Sequence, residues 1–157
     1  MRGVEEDASD LSPADWTVRI AVYRHFVDTT RGPTCEELAT ATGLPADDVR
    51  ASLLRLEAGH HLALLPDRSG VWMAHPFSAT ATSFPVVTPR GRYWANCAWD
   101  ALGIPAVLGT DAWTETRCAE GGDPVAFGVR DGRAAGDDVL VHLLVPLARA
   151  WDDIGYT

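Results

Sequence analysis

The sequence predicts an α+β protein: an N-terminal winged-helix-like helical domain packed on a small mixed α/β domain. Three observations carry that reading. Residues 12–59 hold three helical patterns separated by breaks at Gly32-Pro33 and Gly43-Leu44-Pro45. Residues 60–74 hold two short apolar runs around a turn. Residues 90–146 set a helix-compatible run before a series of strand-like ones. The expected division is a disordered acidic N-terminus over 1–11, a winged-helix-like domain over 12–75, an ordered connector over 76–89 and a second domain over 90–157.

Taken in order, Met1 to Leu11 is acidic and poor in large apolar groups, which predicts disorder. Ser12-Pro13-Ala14-Asp15 reads as a helix start, with Ser12 as N-cap, Pro13 in the first turn and Asp15 near the positive end of the dipole. Trp16, Ile20, Tyr23 and Val27 recur at helical spacing and predict the apolar face. Thr34 caps a second helix, with Glu36 and Glu37 in its first turn and Leu38 and Ala41 facing inward. Asp47 and Asp48 open a third, which carries Val49, Leu53, Leu54 and Leu56 inward and ends at Gly59. His60–Leu65 and Val71–Ala74 then read as two strands around Pro66-Asp67-Arg68-Ser69-Gly70.

The connector is rich in Pro, Ser and Thr and lays Phe77 and Phe84 against the second domain; His75-Pro76-Phe77-Ser78 is read as an aromatic anchor rather than a site lining. Further on, Trp113–Arg117 and Val125–Val129 are strand-like around the turn Ala119–Pro124. After a turn at Asp131-Gly132-Arg133, the run Val139–Pro146 predicts a buried strand, with His142 as a hydrogen-bonded core histidine.

The chemistry concentrates in Arg92–Pro105. No Gly or Pro precedes Gly103, so a helix from about Arg92 to Leu102 is expected, stopped by Gly103 and Pro105. On such a helix Cys97 and Asp100 share one face. A thiolate binds soft metals or attacks an electrophile, and a neighbouring carboxyl delivers or removes a proton. Spacing alone favours the plainer reading, a buried small hydrophobe beside a solvated acid.

Composition narrows the partners. The 157 residues carry a net charge of −9 and every basic residue is Arg, so nonspecific nucleic-acid binding is disfavoured. No apolar run approaches a membrane span, and the acidic N-terminus is unlike a signal or transit peptide, which predicts a cytoplasmic protein. Cys35, Cys97 and Cys118 form no Cys-x-x-Cys pair, and an odd count argues against a disulfide framework. His60-His61 point apart on any regular element and have no third ligand at helical spacing, so no zinc site is expected. A winged-helix DNA reader is opposed by residues 34–59, where five acids face two arginines.

Tyr93, Cys97, Asp100, Pro105, Ala106, Gly109 and Cys118 together resemble the core of the alkylmercury (organomercurial) lyases, densely from about Thr88 to Val129. The resemblance implies a second domain of the alkylmercury lyase type and a carbon–mercury lyase activity. Cys97 would bind the metal, Asp100 would carry the proton, and Cys118 would be structural and buried. It implies no cofactor, mercury belonging to substrate or product. The partner would be a small organometallic substrate, with no nucleic acid and no membrane, for a monomer or homodimer. Trp94, Trp99, Phe77 and Phe84 are the expected apolar walls around the organic group. The family's second catalytic cysteine matches a position beyond Thr157, so the chain is expected either to be truncated before it or to lack it. The alternative function is a non-catalytic, thiol-based module that binds a metal or small molecule.

Overall fold

The computed structural model describes residues 11–138, 140–143 and 145–155. The disorder expected for residues 1–10 falls outside the described residues, whereas Leu11 packs against the core.

Three helices open the fold: α1 (Pro13–Thr29), α2 (Cys35–Thr42) and α3 (Ala46–Ala58). Ser12 and Thr34 cap the first two as expected, each closing a reciprocal box with the acid three residues on, Asp15 and Glu37. The inward stripe of α1 differs from the expected one. Val18, Val22 and Phe26 are buried, while Trp16 and Ile20 are 42% and 46% exposed. The reason is polar. Asp15 is turned inward onto Arg55 of α3, at 2.7 Å from Nη2, and residues three, seven and eleven positions later follow it into the core. Ala41 lies exposed rather than inward, and Leu54 is only half-buried beside the buried Val49, Ser52, Leu53 and Leu56.

Burial alone would raise the Asp15 pKa, but hydrogen bonds from Arg55, Ser12 and Ser52 outweigh it and hold the carboxyl well below the usual carboxylate range. Arg31, then the Thr34 amide, likewise hold Glu37 down at about 2. Groups depressed in the folded state favour folding above their unfolded pKa of about 4 and lose that contribution as pH falls through the folded value. Arg55→Met strands the buried Asp15 carboxylate. Because the outer part of Arg55 is in water, the expected cost at pH 7 is about 2–3 kcal/mol, shrinking toward pH 3 as the stranded acid takes a proton. Urea unfolding at the two pH values checks this, and equal costs at both would contradict it.

Eight strands follow among the described residues: β1 (Ala63–Leu64), β2 (Val71–Ala74), β3 (Phe77–Ser78), β4 (Pro85–Thr88), β5 (Gly91–Ala95), β6 (Ala112–Arg117), β7 (Pro124–Arg130) and β8 (Arg133–Gly136). They form one sheet in the order β1-β2-β3-β5-β4-β6-β7-β8, antiparallel at every pairing. The fold is therefore helices plus an antiparallel sheet. The segment read as a connector supplies β3 and β4, and β3 bonds to β2 on one side and β5 on the other, so the sheet runs through the expected boundary near residue 75.

The largest departure lies in the central run. Its first part is strand β5, paired with β4 from Pro85↔Trp94 to Thr88↔Gly91, and the helix α4 spans Ala98–Leu108. Tyr93 and Ala95 point into the core while Arg92 and Trp94 do not, an alternation that a helix reading hides. Gly103 and Pro105 lie inside α4, which stops at Gly109 in the left-handed conformation. Pro105 gives up one ladder bond near the helix end but is itself buried.

β1 is shorter than the expected His60–Leu65 strand. Val139–Pro146 is not a strand among its described residues: Leu140 is 96% exposed and His142 is exposed, so His142 is not a core histidine. An apolar run needs a ladder partner, and here β8 already occupies the β7 edge. Leu147–Asp152 then forms a short 3-10 helix.

An aromatic seam joins α1 to the sheet. Phe26 stacks on Phe77 at 5.4 Å, Phe77 lies 5.7 Å from Tyr93, and the Tyr93 hydroxyl donates to the Val27 carbonyl at 2.8 Å. No helix among the described residues is long and apolar enough to cross a membrane.

Candidate active site

Cys97 stands at the N-cap of α4, with extended backbone (φ −148°, ψ 179°), and Asp100 closes the first turn. The two are neighbours, as their spacing suggests, but at a helix start rather than along a helix face. At this place the amides of the first turn have no partners inside the helix. Burial pushes the Cys97 thiol up from its ordinary pKa. The Asp100 and Trp99 amides act the other way, while the Asp100 charge and its hydrogen bond with the thiol add to the rise. The balance favours the neutral thiol over the thiolate, with the Asp100 carboxylate three residues on.

That carboxylate is itself held. His75 Nδ1 lies 3.0 Å from Asp100 Oδ2, and Asn96 Nδ2 donates to the same oxygen at 3.2 Å. Asn96 Nδ2 also donates to the Phe77 carbonyl at 3.3 Å. The Asp100 side chain is 13% exposed and that of His75 36% exposed, so the cluster spans the step from interior to solvent. Sequence reading assigned His75 to an anchor segment and passed over Asn96. The one available signal was that β3 and β5 had to pair, since Phe77 sits opposite Ala95 and brings residues 75 and 96 together.

Cys118 is not buried as expected. It is exposed at the start of the β6–β7 turn, where its amide donates to the Asp123 carbonyl at 2.8 Å and its carbonyl accepts from Gly122 at 2.9 Å. That compact turn leaves its side chain at the hairpin tip. Cys35 is buried at the start of α2, its thiol 3.5 Å from the Ala46 carbonyl and pushed up by burial. No group of three or more His, Cys, Asp or Glu among the described residues is placed to hold a metal ion.

A cavity of about 650 Å³ is lined by Ala98 and Leu102 of α4, by Phe84, Val125 and Phe127, and by Cys118, but by neither Cys97 nor Asp100. Of the four expected apolar walls, Phe84 alone lines it. Phe77 is fully buried in the core, Trp99 is 64% exposed, and Trp94 is half-buried on β5.

A family model of the alkylmercury lyases matches residues 77–157. Among solved structures, the mercury-bound form of MerB2 is similar, with a TM-score of 0.65 and 21% identity over 81% of this chain and 61% of that one. This chain thus spans about three fifths of that protein's length. The comparison with curated proteins gives no match.

Proposed function

This chain belongs to the alkylmercury lyase family, and from that premise we propose that it cleaves carbon–mercury bonds by protonolysis, Cys97 taking the metal and Asp100 carrying the proton. The supporting observation is the placement of Cys97 at the N-cap of α4 with Asp100 three residues on, its Oδ2 held by His75 and Asn96. As Cys97 sulfur bonds to mercury, the thiol proton passes to Asp100 and the displaced ligand leaves. Asp100 then gives that proton to the carbon as the carbon–mercury bond breaks, the electron pair of that bond forming the new C–H bond. The hydrocarbon departs and mercury stays on sulfur. A soft thiolate suits the metal, and a second sulfur donor on mercury assists by polarising the bond to carbon. The organic group would lie in the cavity that starts at Ala98.

Residues 12–75 we read as a winged-helix-like scaffold that does not bind DNA, since α2 and α3 remain acidic. A cytoplasmic protein, monomer or homodimer, meeting its small organometallic substrate among reduced thiols belongs to the same proposal. A second reading, a thiol module that binds mercury without cleaving the bond, is favoured by the placement of Cys35 and Cys118. Of the three thiols, Cys97 is the one that meets Asp100.

Hydrocarbon release from a simple arylmercurial, with and without excess external thiol, separates the two. Release above the protein-free rate, increased by added thiol, is the expected result. Mercury retained at Cys97 with no hydrocarbon under either condition would establish the binding module instead.

A further inference from the structure

We propose that His75 is a positioning residue for Asp100: it fixes the carboxylate through Oδ2 and so leaves Oδ1 as the oxygen that exchanges a proton with the thiol and the carbon. This rests on the lyase reading above. The geometry is built from several parts of the chain at once. The Tyr23 hydroxyl of α1 donates to the His75 carbonyl at 3.0 Å and pins its backbone. Asn96, from the β5–α4 junction, restrains the carboxylate rather than the ring, its two amide hydrogens going to Asp100 Oδ2 and the Phe77 carbonyl. The ring of Trp151, from the 3-10 helix, meets the His75 ring edge-on at 5.8 Å.

The fourth support is a missing side chain. Gly103 stands one turn after Asp100 on α4, and a Cβ there would come within 3.1 Å of the Pro76 Cβ. Its absence lets the His75-Pro76 segment seat against α4 at the height of Asp100. With the carboxyl ionised, His75 Nδ1 must carry a proton to bond Oδ2, and Asn96 donates to that same oxygen, so both restraints fall on one side of the group. Groups that orient a reacting side chain in this way are commonly worth about 10–100-fold in activity.

His75→Ala removes the restraint, and His75→Asn keeps an N–H donor close to where Nδ1 stood but cannot relay a proton. In His75→Ala, hydrocarbon release should fall about 10–100-fold with arylmercurial binding unchanged, and His75→Asn should recover most of the loss. Gly103→Ala, which touches neither His75 nor Asp100, should reproduce part of the fall by lifting Pro76. A second measurement needs no turnover: the rate at which iodoacetamide alkylates Cys97, read by mass on its own peptide. With His75 gone the carboxylate is free to turn further onto the thiol and hold its proton more of the time, so alkylation should slow several-fold in His75→Ala and return in His75→Asn.

Parent-like alkylation and release in His75→Ala would overturn the proposal. So would an equal loss in His75→Asn, which would make His75 a mover of protons rather than a support. If the parent releases no hydrocarbon while His75→Ala still slows alkylation and His75→Asn restores it, the lyase reading fails and the positioning role stands.

Discussion

Asp100→Asn is expected to bind an arylmercurial as the parent does and to release hydrocarbon roughly 10²–10⁴-fold more slowly. The amide matches the carboxyl in shape and can keep a contact with His75 and Asn96, so the surroundings of this 13%-exposed side chain should hold their form. What it lacks is the capacity to take the thiol's proton and give it to carbon. Binding and turnover should therefore separate, the signature of a group that acts in the transition state and not in the ground state. Mercury binding by spectroscopic titration and hydrocarbon by gas chromatography provide the two readings. Parent-rate release by the Asn variant would remove Asp100 from the chemistry.

Cys97→Ser should abolish high-affinity mercurial binding and turnover together. A hydroxyl is a hard donor with little affinity for a soft cation, and no other thiol of the chain stands beside Asp100. The exposed Cys118 will take up mercury in solution on its own account, so the comparison belongs in a Cys118→Ser background. There, Cys35→Ser should leave the tight site intact, because Cys35 is buried at the start of α2 against the Ala46 carbonyl. If the protein lacking both Cys97 and Cys118 still binds mercurial tightly, Cys97 is not the ligand.

The legible part of this sequence was local. Ser12 and Thr34 announced their helices because a capping side chain and its acid are three residues apart and need nothing else. β2, β6 and β7 lay within a residue of their expected limits, bounded by turn residues. What the sequence concealed was decided at long range. Gly91–Ala95 is compatible with a helix, and only the ladder with β4 makes it a strand, which moves the helix start onto Cys97. Gly103 reads as a helix stop until Pro76 is seen against it. The inward face of α1 depends on a carboxylate, Asp15, drawn to an arginine 40 residues away. Cys97 and Asp100 were found through a motif, whereas His75 and Asn96 belong to the site through strand pairing that no local pattern records.

The seam between α1 and the sheet has a consequence for what can be inherited as a piece. The match to the family model begins at Phe77, yet Phe77 lies stacked on Phe26, and the Tyr93 hydroxyl is anchored on Val27, both on the N-terminal side of that border. A fragment cut where the likeness starts would carry the motif and leave behind the partners that hold the strand leading to it. It would also expose aromatic rings that the whole chain keeps dry. The stretch that the family model matches and the stretch that must fold together are therefore different lengths of chain.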